Sequence, residues 1–336
     1  MDSLHLRNFR EDDFEAFHAA MSDFDVVKMT ASWPWPPDPA FTRSRMTTSM
    51  AKSGQVKVIV LNEEYVGQVS VVNGELGYML AKPYWGRGLA SWAVQAKLDE
   101  VFRETDVQTL SAGVWEGNPA SERVLGKFGF IRTGSSRDYC KPQGKMLDGY
   151  DFELTRAMWA AAQPLNLETD RLRIVPFEVS DSAELAALMN DEDIARMMAS
   201  IPHPFSEADA VDWIAKRPFD RSADGFAAKI TLKDGTMVGF VGLGGDPVNT
   251  AYALGRRYWG QGLATEAMQA LLTDSFAIHR FEEITAGAMF DNPASQKVLE
   301  KLGFEKSGEK MHKASGRLEE APLFLYRLRS ANFGTS

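Results

Sequence analysis

Two glycine-rich stretches of the chain could bind the phosphate groups of a ligand. Residues 84–91 read Tyr-Trp-Gly-Arg-Gly-Leu-Ala-Ser, and residues 258–265 read Tyr-Trp-Gly-Gln-Gly-Leu-Ala-Thr. Glycines let backbone N–H groups approach a ligand closely, and a helix that begins just after them adds unpaired N–H donors and a partial positive charge. A pyrophosphate suits such a site. A single Gly-x-Gly is equally typical of a simple turn, but its repetition favours binding.

A second repeated block, residues 118–130 and 292–304, predicts a short helix. Both copies begin Asn-Pro-Ala-Ser and end Gly-Phe. Asparagine is a favoured N-cap, proline suits the first helical position, and glycine often ends a helix. The pattern therefore places a serine hydroxyl, Ser121 or Ser295, one turn after the cap.

A third repeated block is rich in proline. Residues 29–36 read Met-Thr-Ala-Ser-Trp-Pro-Trp-Pro, and residues 198–204 read Met-Ala-Ser-Ile-Pro-His-Pro. Alternating prolines forbid a helix and give a stiff, extended loop. We predict that this loop forms a wall of an acceptor pocket, with Trp33, Trp35 and His203 facing the acceptor. The alternative is that these side chains cover an edge of the core.

The elements that must position these blocks also occur twice. An apolar run precedes each glycine stretch and an amphipathic run follows it, which predicts a strand, a turn and a helix. Two pairs of strand-like runs with turn residues between them predict hairpins. We expect Asp12 and Ser180 to cap the helices that follow the first strand of each copy. The predicted hairpins are 56–61 with 65–72 and 226–232 with 237–243.

The spacing of the repeats predicts two domains of one fold. The glycine blocks and the asparagine blocks each lie 174 residues apart, and the proline blocks lie 168 residues apart. A chain of 336 residues is long enough for two domains that each bury a core. We predict domains over 3–158 and 168–330, joined by a linker over 159–167.

Composition excludes several classes of protein. The chain carries a net charge of −9, whereas binding to nucleic-acid phosphates favours a basic stripe. We therefore expect no nucleic-acid partner. Its apolar runs are too short to span a membrane, and its start is too charged for a secretory signal. The single cysteine, Cys140, permits neither an internal disulfide nor a cysteine-based metal cluster. We expect a cytoplasmic protein without a metal or a membrane partner.

Taken together, the three blocks resemble the GNAT superfamily of N-acetyltransferases, and most closely its ribosomal-protein (RimJ/RimL-like) branch. The resemblance covers nearly the whole chain, twice. It implies an α+β fold in which each domain is a mixed, mostly antiparallel sheet, splayed in the middle and flanked by helices. It also implies that acetyl-CoA, as cosubstrate, lies in the splay.

The resemblance also implies which residues hold the cofactor. The pyrophosphate would rest on the amides of the glycine turns, and the two capping asparagines would contact the pantetheine arm. Arg87 could also pair with a phosphate, whereas Gln261 could not supply that charge. The predicted cofactor-binding residues are Leu80, Arg87, Gly88, Leu89, Ala90, Ser91 and Asn118 in the first copy, and Leu254, Gln261, Gly262, Leu263, Ala264, Thr265 and Asn292 in the second.

Acetyl transfer to an amine needs a base, a polarised carbonyl and a proton for the departing thiolate. By resemblance, Glu75 is the base. Asn249 at the equivalent place cannot accept a proton, so the second copy either uses another base, with His203 the candidate, or binds the cofactor without turnover. A backbone N–H near Leu80 or Leu254 could polarise the carbonyl. Many relatives place a tyrosine on the last helix as the acid. Leu125 and Leu299 occupy that position here.

Ser121 and Ser295 are therefore the predicted proton donors in place of that tyrosine. A serine hydroxyl at the start of a helix could instead bond to its own helix backbone.

We predict direct attack of a primary amine on acetyl-CoA in a ternary complex, with the first copy the better catalyst. The acceptor is either a small molecule or a protein N-terminus. The fused copies could serve as a pseudo-dimer within one chain. One alternative is that one or both copies only bind acyl-CoA or form an interface. A dinucleotide-binding oxidoreductase is disfavoured, because the Gly-x-Gly-x-x-Gly spacing is absent.

Overall fold

A computed structural model describes residues 3–219 and 225–334. The chain divides into two compact units between Ala162 and Gln163. Within the described residues, no helix is both long and apolar enough to cross a membrane.

The predicted linker is in part structured. Its first residues belong to the helix Arg156–Ala161, where Trp159 is buried and stacks on Phe102 with ring centroids 5.1 Å apart. Further on, Leu165 is buried in the core of the second unit, and Leu167–Glu168 pairs as a strand with its sheet. The prediction of a linker over 159–167 was therefore too long, because apolar side chains at both ends are buried within the units.

The first unit is a seven-stranded sheet in the order β1-β2-β3-β4-β5-β7-β6. Every neighbouring pair is antiparallel except β4 with β5, which is parallel. The strands are β1 Leu4–Arg7, β2 Val56–Leu61, β3 Glu64–Val72, β4 Glu75–Leu80, β5 Thr109–Trp115, β6 Ile131–Cys140 and β7 Lys145–Thr155.

Helices cover both faces of this sheet, so β2 and the first residues of β3 carry buried side chains on each face rather than alternating. One core lies between the sheet and the first three helices, and it contains Phe17, Met46 and Val58. The helices are α1 Phe14–Met21, α2 Phe24–Val27, α3 Pro39–Ala51, α4 Leu89–Glu104, α5 Pro119–Lys127 and α6 Arg156–Ala161.

The second unit repeats this order with one extra edge strand, β8. Its only parallel pair among the described strands is β12 with β13, the counterpart of β4 with β5. The strands are β8 Leu167–Glu168, β9 Leu172–Pro176, β10 Gly225–Leu232, β11 Met237–Gly244, β12 Asn249–Leu254, β13 Glu283–Met289, β14 Glu305–His312 and β15 Ala321–Arg329. The helices are α7 Ser182–Met189, α8 Glu192–Ala195, α9 Glu207–Ala215, α10 Leu263–His279 and α11 Pro293–Lys301.

Both sheets open at the parallel pair, as expected. In the first unit β4 and β5 pair only at Glu75 with Ser111. In the second unit β12 and β13 pair at Asn249 with Thr285 and at Thr250 with Ala286. Beyond these points the two strands of each pair diverge and leave a gap in the sheet. The later part of β4 forms one wall of the gap in the first unit, and the later part of β12 does so in the second. The α+β fold and both predicted hairpins are confirmed.

Candidate active site

The glycine stretches form open bends at the start of long helices. Gly88 and Gly262 adopt the left-handed conformation, with φ of 78° and 77°, and directly precede α4 and α10. The first backbone bond of α4 runs from Trp92 N to Gly88 O at 3.1 Å, so the amides before Trp92 point out of the helix end. A Cβ placed on Gly86 or Gly88 would meet no atom within 4 Å. The first bend thus has room for an anion, whereas a Cβ on Gly262 would lie 3.6 Å from Arg171 Nη2, so a guanidinium borders the second bend.

A tryptophan ties each bend to the end of the central strand. The Trp85 indole Nε1 donates to the Leu80 carbonyl oxygen at 2.8 Å, and Trp259 donates to Leu254 at 2.7 Å. Each ring is 46% exposed, so burial does not account for the choice of tryptophan. The indole instead fixes the distance between the gap and the helix start.

The central strand directs backbone donors into the gap. Ala81 N donates to Val66 O on β3 at 2.9 Å, and Gly255 N donates to Val238 O on β11 at 2.9 Å. Because N–H groups along an antiparallel strand point alternately to its two sides, the amide of the preceding residue points the other way. The amides of Leu80 and Leu254 therefore face the gap.

The predicted serines lie beside the same strand. Ser121 and Ser295 each donate their backbone N–H to the capping asparagine of their helix, at 3.2 and 3.0 Å. Their hydroxyls pair with phenols of the central strand, Ser121 with Tyr78 at 2.7 Å and Ser295 with Tyr252 at 2.9 Å. Each serine hydroxyl thus has a partner across the gap. Sequence reasoning missed these tyrosines, although the shared Tyr at one register position of both strands was visible.

Burial raises the pKa of both phenols. Burial is the main cause at Tyr78, where the bond to Ser121 opposes it, and the same balance raises the pKa of Tyr252 to about 12. Both phenols therefore remain protonated at neutral pH and can donate hydrogen bonds.

In the second unit the gap is a cavity of about 560 Å³. The strand β12, the bend, β13 and the start of α11 line it, so one space connects the anion site with the serine. Lys297 and Lys301 add positive charge to its wall. Of the predicted residues, it is lined by Leu254, Gly262, Leu263, Ala264, Thr265, Asn292 and Ser295.

Comparison with known proteins agrees with this geometry. The model of the acetyltransferase (GNAT) domain matches residues 3–131 and 171–305. The chain belongs to this family.

It is 28% identical over 172 residues to the uncharacterized N-acetyltransferase p20 of Bacillus licheniformis, covering 47% of this chain and 96% of that protein. It is 34% identical over 91 residues to the probable N-acetyltransferase YjcK of Bacillus subtilis, covering 25% of this chain and 50% of that protein. A solved structure of Mycobacterium smegmatis RimJ in complex with CoA-disulfide has 17% identity and a TM-score of 0.44, covering 49% of this chain and 85% of that one. The two matches of the family model identify the protein as an acetyltransferase with two GNAT domains.

In the first GNAT domain, Glu75 and Ser121 lie on opposite faces of the sheet. Glu75 is exposed at the first residue of β4, where the gap begins, and it borders a cavity of about 380 Å³ with Arg45 and Ser70. Since side chains alternate along a strand, Glu75 faces one way and Tyr78 the other. In the second GNAT domain Asn249 donates to Thr285 Oγ1 at 3.2 Å.

Cations beside the bends were only partly predicted. Arg87 is exposed above the Tyr84 ring, with its guanidinium 5.8 Å from the centroid. Lys127, at the end of α5, was missed by sequence reasoning. It donates to Ser91 Oγ at 3.3 Å, so its ammonium group lies beside the start of α4. In the second GNAT domain Arg171 donates to the Gln261 carbonyl at 3.0 Å and pairs with Glu266 at 2.6 Å. The second bend has Gln261 where the first has Arg87, and Arg171 from another part of the chain thus supplies a basic residue beside it.

The proline loops differ from the prediction at Trp33. That ring is 4% exposed and packs edge-on against Phe17 and Phe41, so it belongs to the core and cannot face a pocket. Trp35 is 42% exposed and contacts Phe24, which leaves it available to an acceptor. His203 is exposed, but it does not line the cavity of about 560 Å³ in the second unit. From this part of the chain, Met197 and Met198 line that cavity instead. The geometry does not bring His203 to the gap.

Proposed function

We propose that the chain transfers an acetyl group from acetyl-CoA to a primary amine by direct attack in a ternary complex. The observation that carries the proposal is the repeated frame of an open glycine bend, a long helix behind it and a splayed central strand beside it. Free amides at a helix start suit the diphosphate of CoA. The absence of any contact within 4 Å of a Cβ on Gly88 leaves room for it.

The residues of the first domain divide the chemistry among them. The amides of Leu89, Ala90 and Ser91 hold phosphate oxygens, and Arg87 and Lys127 add charge. The Leu80 amide donates to the thioester carbonyl oxygen, where negative charge develops as the amine attacks. No covalent enzyme intermediate is required.

Glu75 accepts the proton of the amine, and its place at the start of the gap supports that role. It is exposed to solvent, so a water molecule can carry the proton between amine and carboxylate. An acceptor approaching from the face of α1 to α3 would meet Glu75 there. Trp35, exposed on a loop of the same unit, is the proposed contact for the acceptor.

Asn249 supports a different role for the second domain. Its amide cannot take a proton at the place of Glu75, so we propose that this domain binds acetyl-CoA without efficient transfer. Ser295 and the cavity beside it remain suited to the cofactor. Binding of acetyl-CoA without transfer is thus the second candidate function, and we assign it to the second domain.

The test measures release of free thiol from acetyl-CoA by the full chain with a panel of primary amines. Glu75→Gln should lower kcat about 10²- to 10⁴-fold, the usual contribution of a general base. The matched control is Glu104→Gln, since Glu104 is exposed at the end of α4, far along the helix from the bend. Its rate should equal that of the wild type.

Two results would contradict the proposal. One is a wild-type chain that binds no CoA in calorimetry. The other is a Glu75→Gln protein that turns over as fast as the Glu104→Gln control. CoA binding without turnover on any amine would instead favour a binding module in both copies.

A further inference from the structure

The pairing of a strand tyrosine with a helix serine is repeated in both domains. The hydroxyl oxygens are 2.7 Å apart for Tyr78 and Ser121, and 2.9 Å apart for Tyr252 and Ser295. Residues around the pair differ between the copies, with Asn249 in place of Glu75 and Gln261 in place of Arg87. Both copies therefore have the tyrosine–serine pair, although only the first has the proposed base and the arginine at the bend.

Both ends of the serine are fixed. Its backbone N–H is bound by the capping asparagine, at 3.2 Å in Ser121 and 3.0 Å in Ser295, which sets the first turn of the helix. Its hydroxyl is bound by the phenol of the neighbouring strand. Tyr252 and Ser295 both line the cavity that begins at the glycine bend, so the pair borders the space where a bound cofactor would lie.

The direction of the hydrogen bond follows from the chemistry of the two hydroxyls. A serine hydroxyl carries one hydrogen and two lone pairs. If it accepts the hydrogen of the phenol, its own hydrogen is free to point into the gap. The distances fit either direction, but the phenol is the more acidic of the two hydroxyls and is therefore the better donor. The Tyr78 phenol also lies 3.2 Å from the Ser121 carbonyl oxygen, a second acceptor on the same residue.

We propose that Tyr78 and Tyr252 are positioning residues that hold the hydroxyl of Ser121 and Ser295 as a hydrogen-bond donor to the sulfur of CoA. This inference rests on the proposed function and deepens it. As the C–N bond forms and the C–S bond breaks, the departing sulfur takes the electron pair of the C–S bond and accepts a hydrogen bond from the serine hydroxyl, while the serine and the phenol keep their protons. The proton lost by the amine reaches the thiolate through solvent, so atoms and protons balance.

The experiment titrates the thiol of bound CoA and needs no acceptor. Full-length wild type, Tyr78→Phe and Tyr252→Phe are saturated with CoA, and thiolate formation is followed by its ultraviolet absorbance as pH rises. Because the pair stabilises the thiolate, each Phe variant should raise the pKa of one bound thiol by about one unit, as a hydrogen bond to a charged group predicts. Tyr139→Phe is the control, since Tyr139 is 57% exposed on β6.

A second measurement separates positioning from packing. In turnover of acetyl-CoA, Tyr78→Phe should lower kcat about tenfold and leave KM for acetyl-CoA within about twofold. It should have no further effect in a Ser121→Ala background, because the tyrosine acts through the serine. Phenylalanine keeps the ring, and an unchanged thermal midpoint confirms folding.

Bound thiols that titrate alike in wild type and in both Phe variants would overturn the inference while CoA binding persists. Additive effects of Tyr78→Phe and Ser121→Ala would overturn it too. Failure of the proposed function is distinct, because it appears as absent turnover while the thiol shift is still measured. A chain that binds no CoA overturns both.

Discussion

At the scale of single residues, Tyr252 links the candidate site to the stability of the fold. Burial raises its pKa from 10.0 to about 12, against the opposing effect of the bond to Ser295. In the unfolded chain the phenol ionises near its ordinary pKa. The folded state therefore holds its proton to higher pH, and the stabilising contribution is complete below pH 10 and is lost as pH rises towards 12.

We expect a comparison of wild type with Tyr252→Phe to isolate this effect. The free energy of unfolding of the wild type should fall relative to the variant between pH 10 and pH 12 by roughly 1 kcal/mol. One pKa unit represents about 1.4 kcal/mol, and partial exposure of the ring weakens the effect. Thermal unfolding at pH 9 and pH 11.5 measures it. Parallel pH curves for the two proteins would contradict the assigned pKa.

The residues that sequence reasoning placed wrongly failed for one physical reason. The pattern around Trp33 is the same whether the ring faces a pocket or the core, and only Phe17 and Phe41, packed against it, decide the outcome. The serine partners were missed for the same reason, because Tyr78 lies 43 residues from Ser121. By contrast, the glycines and capping asparagines were predicted, since their roles depend on local backbone geometry.

At the scale of elements, the indole of Trp85 is the link between β4 and α4. Trp85→Phe removes the hydrogen bond to the Leu80 carbonyl at 2.8 Å but keeps an aromatic ring. A net loss of about 1 kcal/mol for such a bond predicts a CoA affinity about fivefold weaker, since the bend and the strand are less well fixed. Calorimetry measures it. Trp35→Phe, on an exposed ring, should leave the affinity unchanged, and equal affinities for both variants would argue against the link.

Sequence patterns within a strand or a turn predicted the strands and hairpins better than they predicted the helix caps and the contact between β4 and β5. The strand runs and the hairpin turns follow from alternation and turn residues, and the structure has them. The expected caps Asp12 and Ser180 were wrong, because α1 and α7 follow Asp13 and Asp181 without a side-chain cap. The two aspartates instead accept the backbone N–H of Arg10 and Glu178 at 2.7 Å, within the short 3-10 turn before each helix. The splay depends on how β4 meets β5, a strand about 30 residues away, so only the resemblance implied it.

At the scale of the whole molecule, the duplication gives two similar frames with unequal chemistry. Both domains have the open bend, the indole link and the tyrosine–serine pair. Only the first has a carboxylate, Glu75, where the gap begins, and the second has Asn249. The protein as a whole is therefore expected to bind two molecules of CoA and to transfer acetyl groups mainly in the first domain.

Alanine at the two bends tests this division within the intact chain. Gly88→Ala and Gly262→Ala place a Cβ where phosphate oxygens must approach, in a backbone conformation that costs about 1–2 kcal/mol for an L-residue. The matched controls are Gly54→Ala and Gly235→Ala, whose φ of 87° and 94° impose the same strain in open space away from the bends. The four variants separate strain from blocked binding.

Calorimetry should give two CoA molecules per chain for wild type and for both controls, and one for each bend variant. Turnover should fall at least tenfold in Gly88→Ala and stay near the wild-type rate in Gly262→Ala, because the second domain lacks a base. Equal loss of turnover in the two bend variants would mean that Asn249 does not disable the second domain. Loss of binding in the controls as well would mean that strain, not the blocked bend, explains the effect.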